Sequence, residues 1–227
     1  MTKSGVKPQG KVKIEWSADF AYAIGLIATD GCLYSDRKYI NFTSKDLEQI
    51  LNFQKALKID IHVGRKARGG GGQKKYFVIQ FGDAYFYDFL VEIGITPKKS
   101  KTLGKVYVPD KYFFDFLRGV FDGDGHSYSY WDKRWKSSFL FYIGFSSASI
   151  AHLHWIQARL KETLSIHGRI NSSFANACFQ LEYAKTEALK IIPVLYPKKS
   201  SFLYLSRKRL KIERILAIVA KQLSRIG

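Results

Sequence analysis

The stretch FAYAIGLIATDG occupies residues 20–31 of this sequence, and the stretch FFDFLRGVFDGDG occupies residues 113–125. Each stretch has apolar residues at helical spacing and ends in an Asp-Gly pair. Self-similarity at a fixed interval indicates a duplicated architecture, so the residues that follow the two stretches are expected to match as well.

The similarity continues in the same order through both halves of the chain. The apolar positions Leu47, Ile50, Phe53 and Leu57 recur at a constant offset of 103 as Ile150, Leu153, Ile156 and Leu160. Four further segments match: INFTSKD (40–46) with IGFSSAS (143–149), HVGRK (62–66) with HGRIN (167–171), YFVIQFG (76–82) with ACFQLEY (177–183), and PKKS (97–100) with PKKS (197–200). Helical spacing and phase are kept, which favours a duplicated chain.

These patterns predict an α+β fold of two pseudo-symmetric lobes, each with the element order αββαββα. The insertions RKARGGGGQKK (65–75) and HSYSYWDKRWKSS (126–138) separate strand-like runs and are expected to form hairpin tips. The boundary is expected near residues 101–109, which gives lobes 1–103 and 104–227. A last amphipathic helix is predicted to end the second lobe.

The charge of the chain favours a polyanionic partner. There are 37 Lys and Arg residues against 19 Asp and Glu residues, a formal net charge of +18. Nucleic acid and an anionic membrane both fit this surplus, but the sequence has no apolar run of about 20 residues, so no membrane partner is expected. The first residues lack the apolar region of a secretory signal, so an intracellular protein is expected. Cys32 and Cys178 are expected to be buried, without a zinc site or disulfide framework.

The two Asp-Gly helices carry small residues where a core helix usually carries bulky ones. Gly25 in the first helix, and Gly119 with Gly123 in the second, let two helices approach closely. If the halves pair about a twofold axis through these helices, Asp30 and Asp124 meet at the two C-termini. Two carboxylates and two negative dipole ends then need a positive partner, and a hard divalent cation fits best.

Two alternatives stay open at this point. An isolated Asp-Gly pair more often ends a helix with a left-handed glycine, a role also expected for Gly31 and Gly125. Asp122 competes with Asp124, but the first half has Ala28 at the corresponding position. Equivalent positions therefore favour Asp30 and Asp124, with Asp122 expected near solvent or an outer water.

The segments IGLIATDG (24–31) and LRGVFDGDG (117–125) resemble the paired LAGLIDADG motifs of homing endonucleases. The motifs span residues 23–31 and 117–125, and the resemblance in order and spacing covers nearly the whole chain. In the first copy Ala23 and Ile24 replace the opening Leu-Ala. The metal-binding acid and glycine positions are kept, as Asp30 with Gly31 and Asp124 with Gly125.

The resemblance implies a monomer whose two lobes form a saddle over double-stranded DNA, with a four-stranded antiparallel sheet from each lobe in the major groove. It implies a staggered double-strand break that uses Mg²⁺, with Mn²⁺ or Ca²⁺ able to replace it for binding. Asp30 and Asp124 would be metal ligands and, with Lys99 and Lys199, the catalytic residues. A solvated turn explains the Pro-Lys-Lys-Ser stretches equally well.

Polar and basic residues in or beside the predicted strands are the candidates for DNA contact, and most would contact phosphates. They are Arg37, Lys38, Arg65, Lys66, Arg68, Lys74 and Lys75 in the first lobe, and Lys133, Arg134, Lys136, Arg169 and Asn171 in the second. Because the lobes differ at most strand positions, the target should be long and asymmetric.

Two other functions fit the same scaffold. An intron RNA maturase would bind host intron RNA and need not cut DNA, and a non-catalytic regulator would bind DNA after losing the nuclease site. Both predict loss of the acids or lysines, so the retained acids favour an endonuclease.

Overall fold

The computed structural model describes residues 10–35, 39–67, 72–135, 138–173, 178–198 and 201–223. The first half contains α1 (Ala18–Asp30), β1 (Gly31–Leu33), β2 (Ile40–Ser44), α2 (Leu47–Leu57), β3 (Gly64–Lys66), β4 (Tyr76–Phe81) and α3 (Ala84–Glu92). The second half contains α4 (Phe113–Asp124), β5 (Gly125–Trp131), β6 (Phe139–Ser147), α5 (Ile150–Leu164), β7 (Arg169–Ser173), β8 (Cys178–Ala184), α6 (Lys185–Leu195) and α7 (Ser206–Leu223). The predicted element order is confirmed in both halves.

Each half forms one antiparallel sheet of four strands. The strand orders are β1-β2-β4-β3 and β5-β6-β8-β7, so the two sheets have the same topology. The registers also correspond, because Cys32 pairs with Asn41 and Asn41 with Gln80, while His126 pairs with Gly144 and Gly144 with Glu182. The α+β fold class with two pseudo-symmetric lobes is therefore confirmed.

Alternation along the strands divides each sheet into a covered face and an open face. Phe42 and Ile79 in the first sheet, and Ile143 and Leu181 in the second, are buried on the covered face. The helices lie on this side, where α2 contacts β2 and β4, and α5 and α6 contact β6 and β8. The polar side chains between these core positions lie on the opposite face, which no helix covers in the part of the chain that the structure describes.

The core positions predicted for the second helix of each half are confirmed except at the first position of each. Ile50, Phe53 and Leu57 are buried, but Leu47 and its counterpart Ile150 are each 42% exposed. Both residues begin their helices, so they lie beyond the edge of the sheet on which the following turns pack. The same deviation in both halves reflects the duplicated architecture.

The helices α1 and α4 pack against each other through their backbones. A Cβ atom on Gly25 would lie 2.2 Å from the carbonyl oxygen of Phe116, and one on Gly119 would lie 2.1 Å from that of Tyr22. Real Cβ atoms do not approach backbone this closely, so both glycines are required by the contact. The predicted close approach of the two helices is confirmed, and it brings their C-terminal ends to one place.

The ends of α1 and α4 differ from the expected left-handed caps. Gly31 has φ −80° and Gly125 has φ −73°, and both begin a strand directly. A Cβ atom on Gly31 would lie 2.7 Å from the Cα of Ile27, and one on Gly125 would lie 2.6 Å from the Cα of Phe121. Glycine is thus required by close packing at the helix-to-strand bend, and the left-handed prediction was wrong.

The segment at the end of each half contacts the second helix of the other half, at or just before its first turns. Ser149, just before α5, donates a hydrogen bond to the carbonyl oxygen of Leu103 over 2.6 Å. Correspondingly, Asn52 on α2 donates to the carbonyl oxygen of Tyr204 over 2.7 Å, and Arg207 forms an ion pair with Asp46 at 2.8 Å. We call residues 203–207 the crossing segment; it holds the start of α7 against α2.

Within the described ranges, no helix combines the length and the apolar character that crossing a membrane requires.

Candidate active site

Asp30 and Asp124 lie where the ends of α1 and α4 meet, at the seam between the halves. Removal of the Asp30 carboxyl from water, together with the negative charge of Asp124 nearby, raises the pKa of Asp30 to about 6. The two acids therefore lie close enough to interact electrostatically. Two like charges held this close favour a cation between them.

Asp124 is the more accessible of the two acids. Partial burial of the carboxyl group raises the pKa of Asp124, while the positive charges of Lys208 and Lys99 lower it. Its side chain nevertheless keeps a solvent-exposed face, whereas Asp30 is half-buried. Gln49 donates a long hydrogen bond of 3.4 Å to Asp30, which further limits the freedom of that carboxylate.

Each helix end is capped by one lysine ammonium group. Lys99 is buried and donates from Nζ to the carbonyl oxygen of Gly31 over 2.6 Å. Lys208 in the first turn of α7 donates to the carbonyl oxygens of Gly123 and Gly125 over 2.9 and 2.7 Å. The two lysines therefore occupy pseudo-symmetric positions beside the acids, and burial lowers the pKa of Lys208 to about 8.

The position of Lys208 was not foreseen from the sequence. The sequence repeat instead pairs Lys99 with Lys199. Because Lys199 lies outside the described residues, its predicted role stays a prediction. Lys208 lies 109 residues after Lys99, whereas the repeated Pro-Lys-Lys-Ser stretches are 100 apart. The two lysines are related only in space, because Lys99 donates to the carbonyl oxygen of Gly31 and Lys208 donates to the equivalent carbonyl oxygen of Gly125.

Two small cavities lie near the seam, one beside each of these lysines, and Asp124 lines the first of them. One cavity, of about 140 Å³, is lined by residues that include Thr29, Lys99, Asp124 and Ser147. The other, of about 150 Å³, is lined by residues that include Gly125, His126 and Lys208. Each cavity is large enough for a few water molecules or a phosphate oxygen group.

Asp122 is a buried structural acid, contrary to the expectation that it lies near solvent. It is fully buried and accepts hydrogen bonds from Tyr22 Oη at 2.8 Å and from the backbone nitrogen of Leu205 at 2.7 Å. Burial raises its pKa to about 6. Because Leu205 precedes α7 by one residue, Asp122 helps to hold the segment that carries Lys208.

The acid pair has the chemistry of a magnesium site with few protein ligands. Within the described residues, no group of three or more His, Cys, Asp or Glu side chains comes together. Mg²⁺ commonly binds through one or two carboxylates and takes water or phosphate oxygens for its other ligands, so Asp30 and Asp124 fit it. The carbonyls of Gly31 and Gly125 accept from lysines, but each oxygen keeps a second lone pair.

The predicted DNA-contacting residues fall into three groups. Those on the open faces or at exposed hairpin ends are Lys66, Lys74, Lys75, Lys133, Arg134, Arg169 and Asn171. Arg65 pairs with Phe77, and its guanidinium carbon lies 4.3 Å from that ring centroid, which places it on the covered face of an edge strand. Arg37, Lys38, Arg68 and Lys136 lie outside the described residues. None of the eight described candidates lines the two cavities beside the acids.

Comparison with solved structures identifies this fold, whereas sequence comparisons find no relative. No family profile and no curated protein matches the sequence. Among solved structures, full-length DUF199/WhiA from Thermatoga maritima matches with a TM-score of 0.56 and 16% identity, over 92% of this chain and 63% of that chain. This chain therefore spans less than two thirds of the length of that protein.

Two solved homing endonucleases match over most of both chains. The I-LtrWI LAGLIDADG homing endonuclease bound to target DNA has a TM-score of 0.57 and 10% identity, over 92% of this chain and 95% of that chain. I-DmoI in complex with DNA and Mn has a TM-score of 0.52 and 13% identity, over 81% of this chain and 98% of that chain. With two matching halves, each with an Asp-Gly helix at the seam, this chain has the LAGLIDADG fold.

Proposed function

We propose that this protein is a sequence-specific, divalent-metal-dependent endonuclease that makes a staggered double-strand break in a long asymmetric DNA site. The observation that carries the proposal is the pseudo-symmetric acid and lysine set at the seam, with Asp30 and Lys99 in one half and Asp124 and Lys208 in the other. A site that is doubled about one axis suits a reaction on two antiparallel strands.

DNA contact is proposed for the open faces of both sheets. These faces carry polar side chains, and the chain has a net charge of +18, which favours binding to a polyanion. The major groove of DNA admits a β-ribbon, and a sheet can present alternate side chains to base edges. I-LtrWI and I-DmoI, which share the fold, were solved bound to DNA, and this supports the proposal. A monomer would supply both halves of the site.

Each group at the seam has a distinct chemical role in this proposal. Asp30 and Asp124 would hold Mg²⁺, which activates water and stabilises the leaving oxygen when it is bound. The buried ammonium groups of Lys99 and Lys208 stabilise negative charge on the phosphate in the flanking cavities or orient water there. Both lysines are fixed by backbone carbonyls, so little reorganisation is needed when charge develops.

DNA binding without cleavage is the second candidate function. The observation that favours it is that two ammonium groups already lie beside the two acids, which reduces their need for a metal ion. Incubation with a randomised DNA pool, with and without Mg²⁺, followed by sequencing of cut ends separates the two. Defined Mg²⁺-dependent ends support the endonuclease; selective binding without ends in Mg²⁺, Mn²⁺ or Co²⁺ supports the regulator. Selective binding of a structured intron RNA alone would favour the maturase.

Replacing Lys99 or Lys208 by alanine should slow cleavage about 100-fold and change DNA affinity little, because a group acting on the transition state leaves ground-state binding intact. Single-turnover cleavage and equilibrium binding in Ca²⁺ measure the two effects. Lys190→Ala, at an exposed position of α6, is the matched control and should cut at the unaltered rate. Equal losses of rate and affinity would reassign these lysines to phosphate anchoring.

A further inference from the structure

The open face of the second sheet is almost uncharged, although the chain is strongly basic. Register places polar and aromatic residues of the four strands on this face, together with the apolar Leu140, Cys178 and Ala184: His126, Tyr128, Tyr130, Tyr142, Gly144, Ser146, Arg169, Asn171, Gln180 and Glu182. Among these residues, Arg169 and Glu182 are the two Asp, Glu, Lys or Arg side chains. The centre of this face is thus poorly suited to phosphates and better suited to base edges.

Glu182 lies at the centre of this face, on the inner strand β8. Its Oε2 accepts a hydrogen bond from Asn171 Nδ2 over 2.9 Å, and its Oε1 lies 3.4 Å from His126 Nε2. Burial and the nearby Glu182 carboxylate raise the pKa of the Tyr128 phenol, so the phenol lies close to this carboxylate. Among the residues that the structure describes, no lysine or arginine forms an ion pair with Glu182. The carboxylate is therefore held by the Asn171 amide, and the His126 imidazole and the Tyr128 phenol lie beside it.

A row of stacked rings fixes the orientation of these partners. The rings of Tyr128 and Tyr142 lie 4.9 Å apart at 15°, and those of His126 and Tyr128 lie 6.2 Å apart at 11°. Gly144 makes room for this arrangement, because a Cβ atom there would lie 2.4 Å from His126 Nε2. The carboxylate consequently has a defined direction before any partner binds.

The first sheet has a different group at the corresponding place. Gln80 pairs with Asn41 as Glu182 pairs with Gly144, and the two pairs are related by the duplication. A glutamine can both donate and accept, and it pairs well with N6 and N7 of adenine. A carboxylate only accepts, so it favours a base that presents an amino group without a neighbouring acceptor. In the major groove that base is cytosine, whose N4 amino group is a donor, whereas adenine presents N7 beside its amino group.

We propose that Glu182 determines specificity in the half-site that the second sheet contacts, by accepting a hydrogen bond from the N4 amino group of a cytosine. The proposal rests on DNA contact by the open faces, as set out for the proposed function. Because Gln80 occupies the related position, the two half-sites differ in sequence at these related places, and the target is asymmetric there.

Binding selection tests this proposal separately from cleavage. The full-length protein and the Glu182→Gln variant each select ligands from a randomised DNA pool in Ca²⁺, and the bound DNA is sequenced. The unaltered protein should prefer cytosine at one position by about tenfold, and Glu182→Gln should lose this preference or shift it to adenine. Glu182→Asp keeps the acceptor and should retain cytosine with weaker binding. Glu162→Gln, an exposed residue of α5, is the control and should leave every position unchanged.

The outcomes distinguish this proposal from the proposed function. If the unaltered protein selects a defined sequence and Glu182→Gln selects the same sequence at every position, Glu182 does not read a base, while DNA recognition stands. If the unaltered protein selects no DNA sequence, recognition by the open faces fails, and the role of Glu182 fails with it.

Discussion

Asp30→Asn and Asp124→Asn each abolish double-strand cleavage and leave specific DNA binding in place; this is the result we expect. Each change keeps the size of the side chain and removes the negative charge that holds a divalent cation. The two acids come from different halves and interact electrostatically, and in the proposed mechanism they hold the metal ion together, so neither half retains a complete site when the other is altered. Binding persists because affinity for DNA comes mainly from basic and polar residues elsewhere.

Cleavage of a mapped target in Mg²⁺ and binding in Ca²⁺ measure the two properties for each variant. Asp110→Asn is a suitable control, because Asp110 is exposed and begins the short 3-10 helix Asp110–Tyr112 before α4. We expect the control to cut at the unaltered rate. Wild-type cleavage by either Asp30→Asn or Asp124→Asn would show that the shared-site mechanism is wrong.

Gly119→Ala should strongly destabilise the protein, by about 3 kcal/mol or more. Alanine in place of glycine usually favours a helix by about 1 kcal/mol. Here the new Cβ would lie 2.1 Å from the carbonyl oxygen of Tyr22, and backbone on the facing helix cannot move aside as a side chain can. The helices must separate, which also moves Asp30 away from Asp124. Both the free energy of unfolding and the cleavage rate should therefore fall.

Chemical denaturation followed by circular dichroism gives the free energy of unfolding. Gly104→Ala is the matched control, since a Cβ there meets no atom within 4 Å. Gly123→Ala should have an intermediate effect, because its Cβ would meet the side chain of Thr29. Unchanged stability of Gly119→Ala would contradict the backbone contact between α1 and α4.

The duplicated pattern was sufficient to predict the element order and the meeting of Asp30 with Asp124. Helical spacing, strand alternation and small residues on one helix face are local signals that survive in both copies. Lys208 could not be predicted, because its relation to Lys99 depends on which carbonyl groups the two ammonium groups reach. The burial of Asp122 likewise depends on Tyr22 and Leu205, which are distant in sequence.

The sequence predicted the type of each element better than it predicted which face of a strand a side chain occupies. Cys32 was expected to be buried but is exposed, and Cys178 is only partly buried. Cys32 alternates with Gly31 and Leu33 on a strand of three residues, which is too short for a sequence pattern to show which face is covered. Arg65 illustrates the same difficulty, since a shift of one residue on an edge strand changes its face.

The contacts of Leu103 with the second half, and of the crossing segment with α2, make the two halves mutually dependent. Each half completes the surroundings of a helix that belongs to its neighbour, as subunits do in a dimer that exchanges its ends. A chain cut in the connecting region would leave two fragments that must reassociate to regain these bonds. Fusion into one polypeptide thus lets the two halves diverge in what they recognise while the reciprocal contacts between them are kept.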